Sequence, residues 1–389
     1  MTILKLEDYD ISPELGFLPT SSPTKAQLPR SFRQLEETAV LLPKWLTTGK
    51  IRHVIAKLPE VEVERETIDK IQLRRLMQIY SYLTHAYVWG EPTPIKVLPR
   101  NIAVPFYTIA RQLGRPPVLS YASYALDNWT RIDEREPIAI GNIMLVQNFL
   151  GGLDEDWFIL IHVDIEAKAA PALAAIPTIL GGIAQDDAIA VAKALQNIKQ
   201  AWKNINETMN RMPEGCDPYI YYHRVRPYIH GWKNNPALPE GLIYEGVQAY
   251  GGQPQKFCGE TGAQSAIVPT MDALFKIAHA NDPLREYLME MRDYMPPKHR
   301  SFVAAVEKHS KLRGFVKNRM QQHPELRDSY NDCLSLIEQF RTKHLEFAAR
   351  YIQQQTAKAK NDTNIGTGGT PFMSYLKKHR DESSQHLLK

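Results

Sequence analysis

An all-α fold is what the sequence predicts, on three observations. Apolar residues recur at helical spacing along most of the chain. The alternating pattern of half-buried strands is nearly absent, and "IKVLPRNIAVP" at 95–105 is the one stretch that reads as short extended pairs. A hydrophobic share of 43% against 23% charged residues over 389 positions gives a globular chain ample core.

Taken in order, residues 1–60 are rich in proline and turn residues, with a short amphipathic patch at "FRQLEETAVLLPKWL", and predict an N-terminal region wrapped on a body. "ETIDKIQLRRLMQIYSYLTHAYVWG" at 66–90 spaces Ile68, Ile71, Leu73, Leu76, Ile79 and Leu83 as the buried face of a helix that stops at Gly90. The same periodicity predicts helices over 101–113, 119–128, 157–170, 185–211, 218–230, 265–279, 283–293, 297–308, 325–354 and 371–380. Between 131 and 156, "RIDEREPIAIGNIMLVQNFLGGLDED" loses that period and gathers Gly and Asp, which places a boundary between a smaller N-terminal domain, 1–150, and a larger helical one, 151–389. A polar, glycine-rich linker is expected at 356–370 before the last helix. No internal repeat is found.

With 47 basic and 43 acidic side chains and no long single-sign block, the charge points to neither nucleic acid nor an acidic membrane, so the expected partner is a small molecule. Cys216, Cys258 and Cys333 stand far apart without a CxxC pair, which suggests buried thiols in a reducing compartment. The N-terminus has acidic residues and prolines where a signal peptide needs a basic start and an apolar run, so a cytoplasmic protein is expected. "AAPALAAIPTILGGIA" at 169–184 is the longest apolar stretch; Pro171, Pro177 and Gly181-Gly182 are expected to break it short of a membrane span.

Two histidines stand where apolar residues belong. Ile337, Phe340, His344, Phe347, Ala348 and Tyr351 share one stripe of the 325–354 helix. A buried imidazole needs partners for both ring nitrogens, or a metal on one of them. His162 lies one turn beyond Phe158 and one turn before Glu166, beside Ile161 and Ile165. Taken singly, each reads as a satisfied core histidine. There is no HExxH motif and no Cys-His cluster at zinc spacing. "GTGGT" at 366–370 lacks the preceding strand a phosphate loop needs and reads locally as a surface loop, whereas the small residues of "CGETGAQS" at 258–265 would let backbone approach a flat ligand. Two core-facing helical histidines, glycine-rich loops and many aromatics are what a haem pocket requires.

"EMRDYMPPKHRSF" at 290–302, "KHLEFAARYI" at 343–352, "GTGGT" followed by "FMSYLKKHR", "GWKNNPALPEGLIYEG" at 231–246, "LPRNIAVPFY" at 98–107 and "CGETGAQS" occur together in one order. In this the chain resembles the indoleamine 2,3-dioxygenase family from about residue 10 to the C-terminus. The resemblance implies a two-domain helical protein holding haem b (iron protoporphyrin IX) between its domains, with His344 as the axial ligand of the iron. It implies that Arg341 meets a haem propionate and pairs with Asp272, that Phe158 is a distal wall, and that Thr261 and Gly262 lie over the macrocycle. For the substrate it implies Tyr121, Tyr124 and Ala125 in an indole pocket, with Tyr221 and Tyr222 beside it. Arg226 is implied for the amino-acid carboxylate, which a planar guanidinium grips bidentately. Thr367 and Gly368 match a mobile loop that closes over the substrate.

Animal members usually carry two phenylalanines at the positions of Tyr221 and Tyr222, and a serine at that of His162; His162 is instead similar to the distal histidine of the tryptophan 2,3-dioxygenases. As a catalytic residue, it would donate to dioxygen, accept the indole N–H or occupy the iron. The implied reaction adds both atoms of O2 across the indole C2=C3 bond of L-tryptophan, or a related indole, to give an N-formylkynurenine-type product. A haem protein that binds O2 without turnover, and a haem enzyme for another indole, are the alternatives. The carboxylate clamp at Arg226 favours an enzyme over a carrier.

Overall fold

The computed structural model describes residues 4–22, 26–278, 282–358 and 366–388. Helices dominate, and the strands among the described residues form two small two-stranded sheets. Val97–Leu98 pairs in parallel with Ile243–Tyr244, inside the stretch expected to be extended. Trp129–Arg131 pairs antiparallel with Ile143–Leu145, within and just before the segment where helical periodicity fails.

Short helices α1 (Arg33–Val40), α2 (Leu42–Thr47) and α3 (Ile51–Ile55) wrap the longer α4 (Lys70–Trp89) and α5 (Arg100–Leu113). A capping box starts α4: Asp69 accepts the amide of Gln72 at 2.8 Å, and the Gln72 side chain accepts the amide of Asp69 at 2.8 Å. Gly90 caps its end, donating its amide to the Ala86 carbonyl at 2.8 Å, an approach in which a Cβ would stand 2.4 Å from that oxygen.

The second half is built on α6 (Leu153–Gln185) and α7 (Ala188–Asn210), which fold back on each other about a turn at Asp186. α6 runs unbroken through Pro171 and Pro177, where the sequence predicts an end near 170. Pro171 is exposed and Pro177 half-buried, whereas Leu173, Ile176 and Ile179 are fully buried, so packing of the apolar face outweighs the hydrogen bonds the prolines remove. By length and composition α6 would suffice to cross a membrane, yet half of its most apolar window is buried inside the protein. Then come α8 (Ile267–Phe275), α9 (Pro283–Met291), α10 (Pro297–His309), α11 (Leu312–Arg319), α12 (Pro324–Tyr351) and α13 (Phe372–Ser384). The periodicity did not mark α11. α12 lies mainly against α7 and α13.

Two apolar cores result. One gathers α1–α5, the start of α6 and parts of 229–258; the other gathers α6–α8, α10–α12 and Leu6, Ile11 and Phe17 from the N-terminus. Residues 359–365 of the expected linker and residue 279 of the expected 265–279 helix lie outside the described residues; that helix, α8, already stops at Phe275, where Lys276 turns left-handed.

Candidate functional site

Beside the second core lies a cavity of about 600 Å³, walled by α6–α9, α12, α13 and the loops at 260–265 and 366–370. His344 on α12 and His162 on α6 both open into it. Among the described residues neither ring nitrogen of His344 has a hydrogen-bond partner, an unusual state for a half-buried imidazole set on the wall of a cavity. Burial lowers its pKa to about 4, and His162 adds to the fall, so the ring is neutral and carries a free lone pair at pH 7. At His162, Nδ1 lies 2.7 Å from the carbonyl oxygen of Phe158. A carbonyl only accepts, so Nδ1 carries the proton and Nε2 is left as an acceptor. Burial lowers this pKa too.

Flat aromatic rings wall the cavity that both histidines line. Phe158 lies 4.8 Å from His162 and 4.6 Å from Tyr221, and Tyr221 lies 5.8 Å edge-on to Tyr351 (ring centroids). Trp202 meets Phe340 edge-on at 5.5 Å, below His344 on α12. Arg341 binds Asp272 with both carboxylate oxygens, at 2.7 and 2.8 Å, and also reaches the His379 carbonyl and Ser383. The histidine-bearing turn of α12 is thereby tied to both α8 and α13.

The loop over the cavity depends on two glycines. A Cβ on Gly259 would stand 2.2 Å from the Gly231 amide nitrogen, and one on Gly231 would stand 2.1 Å from that of Gly259. This contact lets Glu260 donate its amide to Ile229 at 3.1 Å and places Glu260, Thr261 and Gly262 on the wall. Gln264 accepts the amide of Tyr121 at 2.9 Å, and Ser265 donates to Glu166 at 2.8 Å. The 366–370 loop is folded down on it, with Thr367 donating to the Glu260 carbonyl at 2.5 Å and Thr367 and Gly368 on the cavity wall.

Of the expected site residues, the cavity brings together His344, His162, Phe158, Tyr121, Tyr221, Thr261, Gly262, Thr367, Gly368, Asp272 and Arg341. Tyr124, Ala125, Tyr222 and Arg226 stand behind the wall. Tyr124 packs on Phe158 at 6.4 Å, and Arg226, 1% exposed, lies over the Tyr222 ring at 5.3 Å and donates to His230 Nε2 at 3.0 Å. Both segments expected as plain helix here contain a π turn, Ala122–Leu126 and Tyr221–Val225, a distortion frequent at functional sites. The sequence reading placed Phe347 and Glu166 beside the two histidines without giving them a role, and passed over Trp202 and Glu260, the latter an acidic residue amid the small ones of "CGETGAQS".

A neutral, unsatisfied imidazole projecting into an apolar slot of this size suits one axial bond to a metal whose other ligands come from a flat macrocycle. Fold and site thus define a helical haem-binding protein with a second imidazole on the same cavity. The family profile described as "Indoleamine 2,3-dioxygenase" matches residues 5–386. The chain is similar to indoleamine 2,3-dioxygenase 1 of Rattus norvegicus, 36% identical over 98% of this chain and 96% of that protein. It is also similar to indoleamine 2,3-dioxygenase of Saccharomyces cerevisiae, 31% over 97% and 92%, and to 6-hydroxytryptophan 2,3-dioxygenase of Fusarium equiseti, 28% over 98% of each. The chain belongs to the indoleamine 2,3-dioxygenase family, whose members are haem-dependent dioxygenases.

Proposed function

We propose that this protein opens the indole ring of L-tryptophan with O2, giving N-formylkynurenine and so feeding tryptophan catabolism through kynurenine. The observation that carries the reading is His344, an imidazole without a protein partner among the described residues, facing a cavity that His162 also lines. Haem b held there by His344 supplies the chemistry that activates dioxygen. The protein's own residues orient the other reactant. Phe158, Tyr121 and Tyr221 give the indole flat faces, and the Nε2 lone pair of His162 accepts the indole N–H while Nδ1 keeps its proton on the Phe158 carbonyl. Arg226, behind Tyr221, is assigned to the carboxylate, and the loop carrying Thr367 and Gly368 excludes water. Arg341 and Asp272 hold α12, and Arg341 would meet a propionate of the bound haem. The cleaved C2=C3 bond takes one oxygen atom at each carbon, so the reaction balances without a further co-substrate.

We assign the distal cap to residues 1–150, the haem-binding body to 151–389, and a cytoplasmic setting, which the three buried free thiols support. The polar Tyr221 on the wall, and the likeness to a 6-hydroxytryptophan 2,3-dioxygenase, favour a ring-substituted indole as the second reading. Ferrous, haem-loaded protein mixed with L-tryptophan under 18O2 tests the proposal. The expected product is N-formylkynurenine labelled in both new oxygens, whereas O2 binding without product would make the protein a carrier. Turnover of a hydroxylated tryptophan alone would shift the substrate to the second reading.

A further inference from the structure

Glu260 is 4% exposed, lines the cavity, and has no side-chain hydrogen bond or ion pair with any described residue. Burial alone raises its carboxyl to about 8, so the protein provides it with no cation. Its titratable neighbours are Tyr82, Tyr121, Tyr124 and Tyr221, all kept protonated and all raised further by its charge. An isolated buried carboxyl is costly and implies a partner that arrives from outside. Tyr221, on the same wall, lies near both Glu260 and Arg226: burial and Glu260 hold its hydroxyl protonated, and Arg226 opposes them. Tyr221 therefore neighbours both the Arg226 guanidinium behind the wall and the Glu260 carboxyl on it, which can give up its proton when a cation arrives. A free amino acid carries the matching pair, a carboxylate and an ammonium on one carbon.

We propose that Glu260, on the cavity wall, receives the α-ammonium of the substrate, while Arg226, behind Tyr221, is the cation for its carboxylate. This deepens, and rests on, the tryptophan reading above. The lid takes part, because Thr367 bonds the backbone carbonyl of the same residue, so loop closure fixes the carboxyl's position. An indole without an amine leaves Glu260 buried and unpaired, which makes the residue a filter for indoles that carry an amine.

The test is equilibrium binding by calorimetry to haem-loaded protein, with three ligands: L-tryptophan, tryptamine (no carboxylate) and indole-3-propionate (no amine). Glu260→Gln, which keeps the shape and removes the charge, should weaken L-tryptophan and tryptamine about 10-fold or more, as loss of a charge-assisted hydrogen bond requires, and leave indole-3-propionate within about twofold. Glu260→Asp, which restores the charge, should recover part of the loss and guards against a folding defect in the first variant. Equal effects on all three ligands, or none, would overturn the ammonium role while leaving tryptophan binding by the wild type intact. Wild-type protein that binds none of the three would instead remove the tryptophan reading, and this inference with it.

Discussion

His85 and His344 are both enclosed imidazoles on long helices, and burial lowers both to about 4. Their surroundings differ in kind. His85, in the first core, lies with Nδ1 2.7 Å from the Tyr228 carbonyl and accepts the Leu119 amide on Nε2 at 3.0 Å, so both nitrogens are used and the ring locks α4 to two distant segments. His344, beside the second core, faces a cavity and has no such partner among the described residues. The first histidine is structural because its hydrogen bonds are complete. The second is assigned to function because its own are not, and position on an apolar face does not separate them.

Substitutions sharpen the contrast. His85→Ala would orphan a buried carbonyl and a buried amide, so the haem-free protein should lose about 2 to 5 kcal/mol of stability in denaturant titration. His344→Ala in the same haem-free protein should stay within about 1 kcal/mol of wild type, since the ring makes no bond to lose. Equal losses would erase the distinction.

A second difference lies in the carboxyls around the cavity. Glu260 is raised by burial from 4.5 to about 8, so the folded protein keeps a proton that the unfolded chain releases. Stability is therefore lost as pH rises from about 4.5 to 8. The other groups cancel in a comparison of wild type with Glu260→Gln. The variant should gain on wild type by a few kcal/mol across that window, read as midpoint shifts in denaturant. A constant offset would mean that Glu260 ionises normally. The smallest effect belongs to His162. His162→Ser should keep its haem and bind L-tryptophan about 3- to 10-fold more weakly, the worth of one neutral hydrogen bond to the indole N–H, while 1-methyltryptophan, which lacks that N–H, should not respond.

Much of this was legible in the sequence. Apolar periodicity located α5, α7, α10 and α12, which each bury one stripe, and also α4, which is buried on all sides from Arg75 to Val88, and it placed His344 and His162 on inward faces. It failed at α6, where tertiary packing carries a helix through two prolines, and at the two π turns, where one extra residue per turn breaks the period. Which inward histidine is satisfied was not legible, because the partners of His85 come from residues 119 and 228. Nor was the isolation of Glu260, a property of everything that surrounds it. The motifs named a family and its residues; the distances separate those on the cavity wall from Arg226, Tyr222, Tyr124 and Ala125 behind it.

The most direct test of His344 as the haem ligand is a haem titration of His344→Ala, followed by absorption, with and without free imidazole. The variant alone should retain little haem and lack the wild-type spectrum, and imidazole entering the vacated space should restore both. A variant that binds haem as tightly as wild type with an unchanged spectrum, and ignores imidazole, would contradict the assignment.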